Sequence, residues 1–225
     1  MVKTIKSFIF ALIGAVIIYA ILLSASMHVN AENTKNPTTA YVYIGDSRTV
    51  GMNDAVDLVN MKDTFVVAKS GMGYNWFMKE GSEELYKIRE THKYDNWVYI
   101  FNLGVNDLYN VENYANLYKE LSNEATVYYL SINPTDDSVG GIQCKDIEKF
   151  NEKIRIGKTV EYIDSYDYLS KVSGYTFDKR QDGMHYSEET YTQLFEFIKL
   201  SIEVRKFVDK NDGRYSAYFY LYNYR

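Results

Sequence analysis

Five short apolar runs alternate with helix-like segments along most of this chain, and this alternation constrains the fold more than any other feature of the sequence. The runs are rich in β-branched and aromatic residues and occupy 41–44, 64–68, 97–101, 126–131 and 160–163. Apolar residues at helical spacing predict a helix through Ile154 and further helices at about 49–60, 75–89, 113–123 and 188–208. Strands that alternate with helices are typical of a parallel sheet covered on both faces. We therefore expect a flavodoxin-like three-layer α/β/α sandwich with a central, mostly parallel sheet of about five strands.

The length of 225 residues suits one domain with a terminal segment. Lys3 and Lys6 precede an uncharged, mostly apolar run at 8–27, and small residues follow it. This order predicts that residues 1–31 are either a cleaved signal peptide or an uncleaved membrane anchor. Both alternatives place the rest of the chain outside the cytoplasm. We expect a linker at 32–39, the folded domain at 40–208 and a Tyr-rich tail at 209–225.

Composition excludes several other classes of protein. The net charge is −5 and no basic block is long enough to indicate a nucleic-acid partner. The single cysteine, Cys144, excludes an internal disulfide and a structural zinc site built on cysteines. The three histidines show no ligand spacing. We therefore expect no metal and no cofactor.

Small and polar residues directly follow three of the predicted strands: Gly45-Asp46-Ser47 after the first, Gly71 and Gly73 after the second, and Asn106 after the third. Gly45 permits a sharp turn, and Ser47 lies where a helix with free backbone N–H groups would begin. Ligands of parallel α/β sheets bind beyond the carboxyl ends of the strands, so these residues should gather at one edge. A serine hydroxyl there is well placed for a nucleophile, although Gly-Asp-Ser alone also forms ordinary turns and N-caps.

Three ordered stretches make the pattern more specific: Gly45-Asp46-Ser47, Gly104-Val105-Asn106-Asp107 and Asp182-Gly183-Met184-His185. In this order they resemble the blocks Gly-Asp-Ser, Gly-x-Asn-Asp and Asp-x-x-His of the SGNH (GDSL-type) hydrolase family. The resemblance covers residues 41–207, which is most of the chain. It implies an enzyme that attacks an ester with a serine nucleophile.

Ester hydrolysis requires a nucleophile, a base that removes its proton and donors for the oxyanion. We expect Ser47 to be the nucleophile, His185 the general base, and Asp182 the carboxylate that holds the imidazole in one tautomer. Two structural alternatives stay open. His185 could be a surface histidine in a loop, and Asp182 could be an N-cap of the last helix or a turn carboxylate.

The resemblance implies three oxyanion donors, namely the backbone N–H of Ser47, a backbone N–H of a glycine in the stretch after the second strand, and the side-chain amide of Asn106. The family often has an Asn shortly before that glycine, whereas this chain reads Val-Ala-Lys-Ser-Gly-Met-Gly at 67–73. Counting from the strand end favours Gly73, with Gly71 as the alternative. Asn106 could instead be a structural amide of its loop.

Four side chains near these blocks are candidates to line an acyl or sugar pocket: Arg48, Tyr74, Trp76 and Tyr109. Arg48 could instead pair with Asp46 or Asp107, and we expect a structural salt bridge of this kind. The two aspartates themselves resemble residues with which the family braces its loops. Trp76 could equally well belong to the core.

These observations predict an extracytoplasmic serine esterase that acts on small O-acyl esters, acetyl above all, of a cell-wall or extracellular carbohydrate. The substrate class follows only from localisation and family habit. A lipase or lysophospholipase and a glycan O-acyltransferase are the enzymatic alternatives, and a catalytically silent glycan-binding module is the non-enzymatic one. The expected partners are an acylated glycan or small molecule and, if the N-terminal segment is not cleaved, a membrane.

Overall fold

The computed structural model describes residues 37–139, 141–158 and 160–210. The predicted signal peptide or anchor at 1–31, most of the linker and most of the Tyr-rich tail lie outside the described residues. No helix in the described part of the chain combines the length and the apolar character needed to cross a membrane.

Five parallel strands form one sheet in the order β2-β1-β3-β4-β5. The strands are β1 (Thr39–Gly45), β2 (Thr64–Ala68), β3 (Asn96–Asn102), β4 (Thr126–Leu130) and β5 (Glu161–Ile163). This is the doubly wound order of the flavodoxin-like folds, in which the strand order reverses between β1 and β3. The predicted fold class is therefore confirmed, and every strand pair is parallel.

The helices cover both faces of the sheet. They are α1 (Ser47–Val56), α2 (Tyr74–Trp76), α3 (Ser82–Thr91), α4 (Val111–Leu121), α5 (Cys144–Gly157), α6 (Ser165–Asp167) and α7 (Glu188–Lys210). A π-helical turn, Phe77–Gly81, joins α2 to α3, and another, Tyr168–Ser173, follows α6. Short 3₁₀ turns lie at Leu58–Asn60 and Leu108–Asn110.

Two hydrophobic cores lie on the two sides of the sheet, because successive side chains of a strand point to opposite faces. Val42 and Ile44 of β1 belong to the core that contains residues of α2 to α5, whereas Tyr43 belongs to the core with α1 and α7. Several tyrosines fill these cores instead of lying at the surface, and Tyr114 and Tyr129 are fully buried. The strands read as continuous apolar runs because both faces are covered.

One predicted helix differs in length from the structure, and one helical stretch was not predicted. The helix expected at 49–60 ends at Val56, because Asp57 adopts a left-handed conformation with φ of 58° and caps it. The short helical stretch after β5, α6 with its π-helical turn, has no counterpart among the predictions. It is too short to show helical periodicity in the sequence.

Candidate active site

Ser47, His185 and Asp182 form a continuous hydrogen-bonded chain at the carboxyl edge of the sheet. The Ser47 Oγ lies 2.7 Å from the His185 Nε2, and the His185 Nδ1 lies 2.6 Å from the Asp182 Oδ2. A carboxylate only accepts hydrogen bonds, so the Nδ1 carries the proton that points to Asp182. The Nε2 lone pair then accepts the proton of the serine hydroxyl. The structure brings together three residues that are 138 positions apart at the extremes.

The Asp182 carboxylate organises the loop that carries His185. Its Oδ1 accepts hydrogen bonds from the backbone N–H groups of Met184 and His185, both at 3.0 Å, while its Oδ2 faces the imidazole. Partial burial alone would raise the pKa of Asp182, but these hydrogen bonds outweigh it and lower the pKa to about 2. The carboxylate is therefore ionised at neutral pH. It closes a turn and orients the ring at the same time.

Ser47 is the first residue of α1, directly after β1. Asp46 is the N-cap of this helix, and its Oδ1 accepts the backbone N–H of Arg48 at 3.0 Å. The first N–H groups of a helix have no partner within the helix. The backbone N–H of Ser47 is one of these groups, so a hydrogen-bond donor lies next to the hydroxyl.

Asn106 lies beside the serine block and touches two of its neighbours. Its Nδ2 donates to the Met72 carbonyl at 2.8 Å and to the Asp46 Oδ2 at 3.3 Å. The Met72 carbonyl and the Gly73 N–H belong to one planar peptide unit. The side-chain amide of Asn106 therefore fixes the plane of this peptide unit, in which the Gly73 N–H points opposite to the Met72 carbonyl.

Gly73 and Gly71 have different surroundings. A Cβ on Gly73 would lie 2.4 Å from the Asp107 Oδ2, so only glycine fits against this carboxylate. Gly71 has φ of +75° and nothing within 4 Å of the same position. Gly73 packs against Asp107, the residue after Asn106, whereas Gly71 makes an open turn. These contacts favour Gly73 as the glycine of the site.

Asp107 braces the loop after β3 against the glycine-rich turn after β2. Its carboxylate accepts hydrogen bonds from the Tyr74 N–H, the Asn110 Nδ2 and the Tyr114 hydroxyl, at 2.8, 2.9 and 2.8 Å. These donors come from α2, the 3₁₀ turn and α4. The carboxylate thereby holds the loop of Asn106 in one conformation.

Arg48 lies inside the protein, with 1% of its surface exposed. Within the described residues its guanidinium donates to the backbone carbonyls of Asn133, Pro134 and Met184 and not to a carboxylate. The expectations that Arg48 pairs with an aspartate or lines the substrate pocket are therefore wrong. Sequence reasoning missed this role because backbone acceptors leave no signal in a sequence.

The other three pocket candidates occupy different environments. Trp76 is 7% exposed and belongs to the core, which is the alternative that the sequence left open. Tyr74 is partly buried and packs edge to face on Tyr114 at 5.4 Å. Tyr109 is 81% exposed, three residues after Asn106. Of the four candidates, Tyr109 is the most exposed.

A close contact between α1 and α7 links the helix of Ser47 to the loop of His185. A Cβ on Gly51 of α1 would lie 2.6 Å from the ring of Tyr191 in α7. The Tyr191 hydroxyl in turn accepts the backbone N–H of Tyr186, next to His185, at 3.4 Å. Gly51 was not among the predicted site residues, and its only sequence signal is a glycine one turn after the serine.

No group of three or more His, Cys, Asp or Glu side chains within the described residues is arranged to hold a metal ion.

The hydrogen-bonded chain from Ser47 to Asp182 can activate a hydroxyl for attack on a carbonyl carbon.

Similar folds occur among solved structures of low sequence identity. A member of the lipolytic protein G-D-S-L family from Veillonella parvula superposes with a TM-score of 0.53 and 14% identity, over 71% of this chain and 96% of that chain. The C-terminal catalytic domain of peptidoglycan O-acetyltransferase A from Streptococcus pneumoniae gives a TM-score of 0.55 and 14% identity, over 76% and 96%. A protein from the same species described as a platelet activating factor gives 0.54 and 18%, over 83% and 97%.

No protein-family model matches the sequence, and no curated protein matches it either. At such low identity the structural likeness establishes the fold alone. The chain has the fold of the SGNH (GDSL-type) hydrolases, which the sequence blocks led us to expect.

Proposed function

We propose that this chain is an extracytoplasmic serine esterase that removes small O-acyl groups, acetyl above all, from a cell-wall or extracellular carbohydrate. The observation that carries the proposal is the unbroken chain of short hydrogen bonds from the Ser47 hydroxyl through His185 to Asp182. This arrangement of nucleophile, base and orienting carboxylate is the one that acyl transfer requires.

In the proposed mechanism the Ser47 oxygen forms a bond to the ester carbonyl carbon while His185 Nε2 takes the hydroxyl proton. The carbonyl π electrons move to its oxygen, and the resulting imidazolium is stabilised by Asp182. The tetrahedral intermediate then expels the alcohol, which takes the proton from His185. Water repeats the sequence on the acyl-serine and releases the carboxylic acid.

The oxyanion would be held by the N–H groups of Ser47 and Gly73 and the amide of Asn106. Asn106 donates at 2.8 Å to Met72 and at the longer distance of 3.3 Å to Asp46. The longer of these hydrogen bonds is the one that an oxyanion would replace. Such a donor acts where charge develops, and removal of one typically lowers kcat by about 10²–10³-fold.

A carbohydrate substrate is supported by the exposed ring of Tyr109, three residues after Asn106, and by the structural likeness to the catalytic domain of a peptidoglycan O-acetyltransferase. The extracytoplasmic location rests on the lysines and apolar run of residues 1–31.

The proposal is tested by hydrolysis of p-nitrophenyl acetate. Ser47→Ala should leave less than about a hundredth of the activity, because a serine hydrolase loses far more than that without its nucleophile. A sulfonyl fluoride should add one sulfonyl group to the unaltered protein and none to Ser47→Ala, as measured by intact mass. The control is Ser170→Ala, at an exposed position in the π-helical turn after α6. Full activity of Ser47→Ala would refute the proposal.

Transfer to a glycan hydroxyl is the second candidate, favoured by the structural likeness to an O-acetyltransferase domain. Chemistry up to the acyl-serine is the same for both reactions. Incubation with an acetyl donor and chitooligosaccharides separates them, because hydrolysis releases acetate alone and transfer adds an acetyl mass to the oligosaccharide.

The substrate class is tested at Tyr109. Loss of a stacking ring should cost about 0.5–1.5 kcal/mol, so Tyr109→Ala should raise KM for an acetylated oligosaccharide by about twofold to tenfold. The KM for p-nitrophenyl acetate should hardly change, because this ester has no sugar ring. Tyr86→Ala is the matched control, since Tyr86 is also exposed but lies on α3. Equal effects on both substrates would argue against a sugar-binding role.

A further inference from the structure

Arg48 follows the candidate nucleophile directly, yet its side chain points into the protein. It is 1% exposed and is one of the largest fully buried side chains of the described residues. A guanidinium keeps its charge in proteins, so the interior holds a cation at this point. Burial of a cation costs free energy unless hydrogen bonds or charges compensate it.

Backbone carbonyls from two separate segments provide that compensation. One segment is the turn after β4, where the Arg48 Nη1 donates to the Asn133 carbonyl at 2.8 Å and the Nη2 donates to the Pro134 carbonyl at 3.1 Å. The other is the His185 loop, where Nε donates to the Met184 carbonyl at 3.2 Å. One rigid guanidinium therefore joins the start of α1 to both segments.

The contacts with the His185 loop flank the histidine on both sides. Met184 precedes His185 and accepts the Nε–H, while the ring of Tyr186, which follows it, lies 5.2 Å from the guanidinium carbon. The Tyr186 hydroxyl also donates to the Pro134 carbonyl that Arg48 uses. The residues on either side of His185 are thus tied to the residue next to Ser47.

We propose that Arg48 is a positioning residue that holds the His185 loop at hydrogen-bond distance from Ser47. An apolar side chain of similar volume would fill the space without the cost of a buried charge, but it could not orient three carbonyls from two segments. The catalytic part of this inference rests on the proposed esterase function, whereas the positioning part concerns the loop itself.

The first test compares kcat with folding. Arg48→Met should lower kcat for p-nitrophenyl acetate by about 10²-fold, the typical effect of an ångström of misplacement, with a much smaller change in KM. Rates are compared at temperatures well below the Tm of each variant. Arg48→Lys, which keeps the charge but not the three-pronged geometry, should fall between Arg48→Met and the unaltered protein.

The matched control is Asn151→Ala. Asn151 is also buried and bonds to the turn after β4, with its Oδ1 accepting the Ile132 N–H at 2.8 Å and its Nδ2 donating to the Ile132 carbonyl at 2.9 Å. It has no bond to the His185 loop among the hydrogen bonds of the described residues. Asn151→Ala should lower the Tm while the folded protein keeps its kcat.

Hydrogen exchange provides a readout that does not depend on activity. Amides of residues 182–187 should exchange faster in Arg48→Met than in the unaltered protein, and in Asn151→Ala they should not. If the unaltered protein hydrolyses no ester, the proposed function fails while this readout still tests the positioning role. Arg48→Met with kcat within about threefold of normal and unchanged exchange at 182–187 would overturn the inference. If Arg48→Met does not fold, Arg48→Lys takes its place. Full kcat in that variant would likewise overturn the inference.

Discussion

Two carboxyl groups of the site have pKa values that their surroundings shift in opposite directions. Asp182 is partly exposed, and its hydrogen bonds lower its pKa to about 2. Asp46 is almost completely buried beside Ser47, and this burial raises its pKa to about 6, although the Arg48 N–H and guanidinium oppose the rise. Desolvation of the charged form is the largest single effect on both groups, but the hydrogen bonds together outweigh it only for Asp182.

The raised pKa of Asp46 predicts a pH dependence of stability. Between about pH 4 and pH 6 the folded protein keeps a proton on Asp46 that the unfolded chain has released, so the folded state binds more protons. The free energy of unfolding should therefore decrease as pH rises through this window, by about 3 kcal/mol in total for a shift of about two pKa units.

Urea unfolding at pH 4, 5, 6 and 7 measures this contribution. Asp46→Asn has no such proton, so the stability of the unaltered protein relative to this variant should decrease by that amount between pH 4 and pH 7. Asp54→Asn, at an exposed position of α1, controls for the loss of one negative charge. Parallel pH curves for Asp46→Asn and the unaltered protein would contradict the assignment.

At the scale of elements, we expect the packing of α1 against α7 to influence the distance between Ser47 and His185. The contact is between Gly51 and the Tyr191 ring, with no space for a Cβ between them. Tyr191 also bonds to the Tyr186 N–H beside His185. A change in the spacing of these helices is therefore transmitted to the His185 loop.

Gly51→Ala should lower both stability and kcat. Replacement of a helical glycine by alanine normally stabilises a helix by about 0.5–1 kcal/mol, but overpacking costs about 1–3 kcal/mol. We expect the overpacking to dominate, because the added Cβ would lie 2.6 Å from the ring. Thermal unfolding and kcat for p-nitrophenyl acetate measure the two effects.

The double variant Gly51→Ala/Tyr191→Leu tests the cause. Removal of the ring should relieve the clash, so the two substitutions should together cost less than the sum of their separate costs. A rise in Tm for Gly51→Ala alone would show that the helices can move apart freely.

At the scale of the whole molecule, the sequence predicted those features that depend on local pattern. The five strands were predictable because buried parallel strands read as continuous apolar runs, as 64–68 and 97–101 do. The gathering of Ser47, Gly73 and Asn106 at one edge followed from the parallel topology. The catalytic roles of these residues stay predictions.

The features that the sequence did not predict depend on long-range packing, which no local pattern encodes. Arg48 reaches a carbonyl 136 residues further along the chain, so its burial could not be inferred from its neighbours. The exclusion of a Cβ at Gly51 depends on a ring in α7. The burial of Trp76 depends on how the helical region of α2 packs against the sheet, and its sequence position beside a motif suggested a pocket instead.

The separation of Ser47 and His185 along the chain also has a consequence for the order of events during synthesis. The nucleophile and its helix leave the ribosome 138 residues before the base does. The sheet order places β1 between β2 and β3, so the strand before the serine can pair early, but the imidazole arrives only with the loop that precedes α7. An incomplete chain therefore holds an unactivated hydroxyl. Under the proposed mechanism, the site is complete only when the loop before α7, the last helix among the described residues, has docked beside Ser47.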